Sequence, residues 1–138
     1  AALVAARRLN PLNTDHSANL ARLNRAWAFL NALGPKEVPS NALLRRLVST
    51  EPDKVNMDRL NRSLMYYQEA TSLSPHNAQL WNELATVQFI LGDTQKALDT
   101  LDHSLTLDVA YDQTYLLRAE LDLATGDKAG ALEAYRRA

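Results

Sequence analysis

The histidines are the first residues to weigh for chemistry. The chain has three, His16, His76 and His103, and no two of them are spaced to share one helical turn. Cysteine is absent and no paired carboxylates accompany them, so the spacing of a metal site is missing. We interpret these histidines as surface or helix-capping residues, and we predict no metal and no cofactor.

Asp15, His16 and Ser17 are the residue types of a nucleophilic triad, standing next to one another in the chain. Neighbouring positions of a helix point their side chains in different directions, so three adjacent residues cannot converge on one substrate atom. We therefore predict no catalytic residue and no enzymatic activity within this chain.

The elements that position these residues follow from a 34-residue self-similarity in the second half of the chain. Residues of one segment return 34 positions later: Gly92-Asp93 as Gly126-Asp127, Ala97-Leu98 as Ala131-Leu132, and Trp81 as Tyr115. This period is typical of helical hairpin repeats. The glycines are expected to end a first helix in the left-handed conformation, and the aspartates to cap the second helix.

The same register continues upstream with one interruption. Residues 6–13 and 70–77 share the spacing of a small residue, leucine, proline and asparagine, and each marks the end of a repeat. These two ends are 64 residues apart, so one repeat carries about 30 extra residues. We predict first helices beginning near residues 14 and 78.

Three helices are expected within the interrupted repeat. The first spans residues 15–32, with Leu20, Leu23, Trp27 and Leu30 as its packed stripe, and the second spans 57–73, with Tyr67 in the core and Tyr66 exposed. Between them, residues 40–49 have an apolar stripe behind Ser40 or Asn41, which predicts a short capped helix.

With these residues the chain resembles the tetratricopeptide repeat family over nearly its whole length. The resemblance implies an all-α, right-handed α-solenoid of antiparallel helical hairpins, with about three repeats, one of them carrying an inserted short helix. We expect a single domain over residues 1–138. It divides into the end of a preceding repeat (1–13), a repeat with an insertion of about 30 residues around 33–56 (14–77), a repeat (78–111) and an incomplete repeat (112–138).

A narrower resemblance rests on residues 10–23, NPLNTDHSANLARL, and 73–83, LSPHNAQLWNE. These strings are similar to the repeat region that follows the membrane helices of bacterial O-antigen polymerase or ligase-like proteins. The resemblance implies a water-exposed part of a membrane-attached, extracytoplasmic protein, with catalysis on lipid-linked glycans elsewhere in the parent chain. A cytoplasmic location stays open.

In the repeat family the first helices line a concave groove, and nine polar or aromatic residues are expected there. They are Asn19, Arg22, Gln79, Asn82, Glu83, Thr86, Phe89, Gln113 and Glu120. Their amides and the Phe89 ring suit an extended peptide, or less readily a glycan; the alternative is a solvated helix face. Some family members grip a terminal carboxylate with lysines, but Ala18 and Leu116 replace them here.

The insertion gives a second candidate surface. Leu43, Leu44, Leu47 and Val48 form a stripe that docks on a partner or a membrane surface, or else packs on its own solenoid. Packing is the favoured reading, since two neighbouring arginines are too few to attract a lipid surface strongly.

Composition argues against nucleic acid as a partner, and the apolar segments are too short for a membrane span. The chain has 15 basic and 16 acidic residues, so it lacks the basic surface that nucleic acids require. No segment approaches the roughly 20 apolar residues that cross a bilayer. The chain opens inside a predicted helix, and we expect a piece of a longer polypeptide.

The function predicted from these patterns is a non-catalytic scaffold that binds a protein or peptide partner through its groove or its insertion. A homo-oligomer that stacks through apolar solenoid ends is the main alternative. An accessory domain of a glycan polymerase or ligase is the other.

Overall fold

The computed structural model describes residues 1–138 and confirms the predicted all-α class. It has eight α-helices, one short 3-10 helix at Pro52–Lys54 and no strand. The α-helices are α1 (Ala2–Leu9), α2 (Thr14–Ala28), α3 (Asn41–Thr50), α4 (Met57–Leu73), α5 (Ala78–Ile90), α6 (Thr94–Leu107), α7 (Asp112–Thr125) and α8 (Lys128–Arg137).

The chain divides into two compact units, Ala1–His76 and Asn77–Ala138. In the first unit α2 packs mainly against α4, and α1 packs on α2. In the second unit α5 pairs with α6 and α7 with α8, while α7 also contacts α5 and α6. Each unit is thus built on helix pairs, and the predicted division into repeats stays a prediction.

Both hairpins of the second unit turn through a glycine in the left-handed region, as predicted. Gly92 has a φ of 96° and Gly126 a φ of 86°. The next residue closes each turn, because the Asp93 amide donates to the Gln88 carbonyl at 2.9 Å and the Asp127 amide to the Asp122 carbonyl at 2.8 Å. These bonds satisfy carbonyls that the end of the first helix leaves open.

The predicted aspartate caps are confirmed in one hairpin and wrong in the other. The Asp127 carboxylate accepts a hydrogen bond from the Gly130 amide at 2.8 Å, whereas Asp93 makes no side-chain cap. A Cβ at Gly130 would lie 2.5 Å from the Asp127 Oδ2 atom. The corresponding position after Asp93 is Lys96, and nothing in the structure explains why Asp93 makes no cap.

The first unit replaces the glycine turn with the insertion. Helix α4 has the predicted bounds, and the predicted short helix is present as α3, whose Ser40 hydroxyl accepts from the Leu43 amide at 3.2 Å. Helix α2 ends at Ala28, four residues earlier than predicted, because the chain continues in turns from Phe29. The Asn56 amide donates to the Ala28 carbonyl at 2.8 Å, which holds the two ends of the insertion together.

Small residues set the closest helix contacts in both units. Ala85 and Ala97 are buried in the α5–α6 pair, and the same 34-residue step leads from Ala97 back to Ser63. The Ser63 hydroxyl donates to the Ala21 carbonyl at 2.8 Å, so α4 approaches the α2 backbone directly. Side chains this small let helices pack at interior density.

The packed face of α2 differs from the predicted stripe. Its buried residues are Ser17, Ala18, Leu20, Ala21, Asn24 and Ala28, whereas Trp27 is 45% exposed and Leu30 is 71% exposed. The expectation for Trp27 and Leu30 was therefore wrong, because close approach to α4 favours the alanine-rich face over the bulkier one. On α4 the expectation holds, since Tyr67 is fully buried and Tyr66 is partly exposed.

Candidate functional site

Six of the nine predicted groove residues are at least partly accessible: Asn19, Arg22, Gln79, Glu83, Gln113 and Glu120. In the first unit, the Arg22 Nη1 atom donates to the Asn19 Oδ1 atom at 3.0 Å. In the second, the Gln79 amide donates to the Glu83 carboxylate at 3.2 Å. These bonds along single helices leave polar side chains at the surface of α2 and α5.

The other three groove candidates, Asn82, Thr86 and Phe89, lie in the interior. Asn82 is 8% exposed and exchanges hydrogen bonds with the Thr114 hydroxyl, so its amide ties α5 to α7. The Thr86 hydroxyl donates to the Asn82 carbonyl at 2.9 Å. Their polar groups thus serve the helix pair, in contrast to the solvated face that the sequence suggested.

Phe89 differs most from its expected position. Its side chain is 0% exposed and belongs to a core cluster with Ala85, Ala97, Leu101 and Leu121. Helix α5 packs against both α6 and α7, and residues 84–90 are all buried. The ring therefore presents no surface for stacking on a ligand in this structure.

A pocket of about 300 Å³ in the first unit joins the two kinds of predicted site residue. Arg22 from the predicted groove and Leu44 from the insertion both line it. We call it the insert pocket, and its residues are Arg22, Arg25, Ala26, Phe29, Leu33, Pro39, Asn41 and Leu44. Both groups of candidates thus meet beside α2.

The insertion is held in place by its own hydrogen bonds. The Glu37 carboxylate accepts from the Gly34 amide at 2.7 Å, and the Glu37 amide donates to the Gly34 carbonyl at 3.1 Å. Of the four predicted stripe residues, Leu44 and Leu47 are buried, while Leu43 and Val48 are half-buried. The wall that the insertion adds to the pocket is therefore anchored by packing and by local bonds.

The insert pocket is apolar inside and cationic at its sides. Phe29, Leu33 and Leu44 supply the apolar surface, and Arg22 and Arg25 supply guanidinium groups, while no carboxylate lines it. Such a set suits an apolar side chain with acidic neighbours, because a guanidinium binds carboxylates through paired hydrogen bonds.

A known family matches most of the chain. The model of the tetratricopeptide repeat protein 21 second ARM domain matches residues 4–126. The chain belongs to this family.

Solved structures agree with an ARM domain built as a helical-repeat solenoid. A crystal structure of MamA superposes with a TM-score of 0.54 at 14% identity, covering 98% of this chain and 81% of the MamA chain. A second MamA structure, of AMB-1, has a TM-score of 0.52 at 16% identity, with 91% and 70% covered. At these identities the similarity concerns the fold, and it confirms the predicted α-solenoid class.

Comparison with curated proteins gives no match to this chain. The resemblance to O-antigen polymerases has no support in any of these matches, and neither has a glycan ligand or a homo-oligomer; all three stay predictions. The repeat fold is typical of non-catalytic scaffolds that present a binding surface to protein partners.

The Asp15, His16 and Ser17 side chains do not form a catalytic triad arrangement in this chain. Asp15 is exposed, His16 is half-buried, and the fully buried Ser17 hydroxyl has no hydrogen-bond partner. No group of three or more histidine, cysteine or carboxylate side chains is placed to hold a metal ion. None of the helices combines the length and the apolar character needed to span a membrane.

The shifted pKa values of the chain arise from ion pairs. The hydrogen bond from Lys54 lowers the pKa of Glu51 and raises that of Lys54. The hydrogen bond to Glu69 raises the pKa of Arg7, and a bond to Glu133, followed by one to Tyr115, raises that of Arg137. Each of these shifts favours the charged form, as expected for a group beside an opposite charge.

Proposed function

We propose that this chain is a non-catalytic scaffold that binds a peptide segment of a protein partner in the insert pocket. The observation that supports it most is the meeting of Arg22 on α2 with Leu44 on α3 at one cavity. Helical-repeat scaffolds commonly recognise partners along the first helices of their hairpins. Here the insertion adds a second wall to that surface.

The chemistry of the pocket indicates the kind of segment. A cavity of about 300 Å³ takes one large apolar side chain, for which Phe29, Leu33 and Leu44 provide the contact surface. The guanidinium of Arg25 then pairs with a carboxylate beside that side chain. An apolar anchor flanked by acidic residues satisfies both parts of the site.

The insertion is the part that makes the site specific to this chain. Pro39, Asn41 and Leu44 all belong to the insertion or to the helix within it. The hairpins of the second unit turn through Gly92 and Gly126 and have no corresponding wall. Specificity is therefore proposed to reside where the repeat register is broken.

Selection of a phage library of random 12-residue peptides against the chain tests this function. The selection is expected to enrich peptides that contain acidic residues. These peptides should bind an Arg25→Glu variant at least tenfold more weakly than they bind the unmodified chain, because the reversed charge repels their acidic residues. Arg46→Glu is the matched control, since Arg46 is an exposed residue of α3 that does not line the pocket. Its binding should stay within twofold of the unmodified chain.

Two outcomes would overturn the proposal. Failure to enrich any peptide would argue against peptide recognition by this chain. Enriched peptides that bind the Arg25→Glu variant as tightly as the unmodified chain would place recognition away from the insert pocket.

A further inference from the structure

A second pocket lies in the first unit, on the other side of α2 from the insert pocket. Its volume is about 400 Å³, and we call it the arginine–tryptophan pocket. It is lined by the first residues of α1, by α2 and by α4: Ala1, Ala2, Leu3, Val4, Leu20, Leu23, Asn24, Trp27, Arg59, Arg62 and Tyr66. Positions 23, 24 and 27 of α2 face away from positions 22, 25 and 26, which line the insert pocket.

Arg59 is held in position at this pocket. Its guanidinium carbon lies 4.7 Å from the centre of the Trp27 ring, a cation–π contact. Its Nη1 atom donates to the Asn24 Oδ1 atom at 3.2 Å, and the Asn24 amide nitrogen in turn donates to the Leu20 carbonyl at 2.8 Å. Asn24 is buried, so this chain of bonds fixes the guanidinium at the pocket wall before any ligand arrives.

Arg62 adds a second positive charge one turn along α4 from Arg59. No carboxylate lines the pocket, and Asp58, one turn before Arg62 on the same helix, forms no ion pair with it. Two like charges at this spacing repel each other, and a bound anion relieves the repulsion. The charge of the pocket is therefore unbalanced in the direction that attracts a carboxylate.

The same face of α4 displays the pairing that such an anion would make. Further along the helix, Glu69 accepts two hydrogen bonds from Arg7, at 2.6 Å from Nη2 and at 3.0 Å from Nε. The Arg7 guanidinium also lies 5.5 Å from the centre of the Tyr66 ring. At this site the Glu69 carboxylate, the Arg7 guanidinium and the Tyr66 ring lie together. The pocket at Arg59 and Trp27 has the guanidinium and the aromatic ring, but no carboxylate lines it.

We propose that the arginine–tryptophan pocket binds a peptide in which a large apolar side chain stands next to a carboxylate. The side chain packs against Leu23, Trp27 and Tyr66, and the carboxylate pairs with Arg59 and Arg62. Aromatic walls favour an aromatic side chain through edge and stacking contacts, an arrangement that an acyl chain cannot use. This site goes beyond the insert pocket and does not depend on it.

Trp27 itself reports on the site. The chain has two tryptophans, and Trp81→Tyr removes the other one by a change to the residue type found at Tyr115, the equivalent repeat position. In that background, Trp27 fluorescence is titrated with three peptides. They are acetyl-Glu-Phe-Leu-Glu-amide, its neutral analogue acetyl-Gln-Phe-Leu-Gln-amide, and acetyl-Gln-Phe-Leu with a free terminal carboxylate.

The expected result is a saturable change with a carboxylate peptide and at least tenfold weaker binding of the neutral one. Arg62→Gln, at an exposed position, should weaken binding at least tenfold without unfolding the chain. Arg59→Lys keeps the charge but loses the paired donors, so an intermediate loss is expected. Comparison of the first and third peptides decides whether the site prefers side-chain or terminal carboxylates.

Arg46→Gln, at an exposed position of α3 that lines neither pocket, is the control and should leave the affinity unchanged. A result in which Arg25→Gln weakens binding and Arg62→Gln does not would assign the peptide to the insert pocket and overturn this inference alone. Equal binding of the neutral peptide would also overturn it. So would saturable binding of decanoate without binding of either carboxylate peptide, because the site would then be one for acyl chains.

Discussion

The two units of the chain differ in how their pockets are charged. The second unit has a cleft of about 240 Å³ whose lining includes Arg118, Asp122, Asp127, Glu133 and Arg137, with both signs of charge present. These groups satisfy one another within the unit. The two pockets of the first unit, in contrast, contain arginines and no carboxylate.

The pairs of the second unit are specific. Arg118 contacts both Asp102 on α6 and Asp122 on its own helix, with 3.2 Å between its Nε atom and the Asp122 Oδ1 atom. The Arg137 Nε atom donates to Glu133 at 3.0 Å. An internally paired surface has little electrostatic reason to bind a partner, whereas a pocket that has guanidinium groups beside apolar walls and no carboxylate in its lining can attract an anionic one. This difference in charge pairing supports our proposal that partner binding occurs in the first unit.

The largest effect is expected where a cation supports a buried carboxylate. Arg118→Met leaves Asp122, whose side chain is 6% exposed, without its cation. We expect a loss of about 2–3 kcal/mol of unfolding free energy, below the cost of breaking a fully buried pair because Arg118 is itself partly exposed. Urea unfolding followed by Trp81 fluorescence measures it.

Arg62→Met is the matched change in the first unit and should alter unfolding by less than about 0.5 kcal/mol, because Arg62 supports no carboxylate. If both variants lost equal stability, the distinction between paired and unpaired charges would be lost.

A smaller effect is expected at the turns. Gly126→Ala places a Cβ on a residue with φ of 86°, and the left-handed conformation costs about 1–2 kcal/mol for a residue with a side chain. Gly34, in the insertion of the first unit, does not have a positive φ, and its added Cβ would meet Glu37 at an ordinary 3.5 Å.

Gly34→Ala should therefore leave the melting temperature nearly unchanged, while Gly126→Ala lowers it by several degrees. Thermal unfolding by circular dichroism separates the two variants. An equal shift would mean that the insertion is as constrained as the glycine turn.

The smallest changes in stability are expected at two buried serines of the first unit. Ser63→Ala removes the hydrogen bond to Ala21 and should cost about 1 kcal/mol. Ser17→Ala removes a buried hydroxyl that has no partner, so it should be neutral or stabilise by up to about 1 kcal/mol. Urea unfolding midpoints, followed by Trp27 fluorescence, test whether the two substitutions change stability in opposite directions. Destabilisation by Ser17→Ala would contradict this prediction.

Local signals predicted much of the fold. Asn13 and Asn77 accept from the amides of Asp15 and Leu80, so both helices begin where the proline–asparagine spacing placed them. Gly92 and Gly126 each end a helix because glycine adopts the left-handed conformation without a steric cost, and this property belongs to the single residue. The 34-residue register then located the insertion, and the apolar stripe behind Ser40 predicted the helix within it.

The failures concern which side of a helix meets a neighbour. Phe89 was expected at a surface because α5 was treated as a helix with one packed face, yet α6 and α7 cover two. Trp27 was expected in the core, but the alanine-rich face of α2 packs there. Tertiary packing decides both, and a period in the sequence does not encode it uniquely.

The pockets were also beyond sequence reasoning, although one signal was available. Arg59, Arg62 and Tyr66 lie along one side of a predicted helix with no acidic residue at the same spacing near Arg59. Because the insert pocket depends on where residues 33–44 return to α2, no local pattern located it.

The hydrogen bond between Asn56 and Ala28 closes the insertion at its base, so residues 29–55 leave and re-enter the helix pair at one point. The register of α2 against α4 is then set by contacts outside the insertion, such as Ser63 with Ala21. Each doubling of the length of a closed loop costs only about 0.6 kcal/mol of folding free energy. The length of the insertion therefore has little effect on the stability of the α2–α4 pair. The length and sequence of the insertion can thus be changed by design at little cost to that pair, provided that buried anchors such as Val55 are kept.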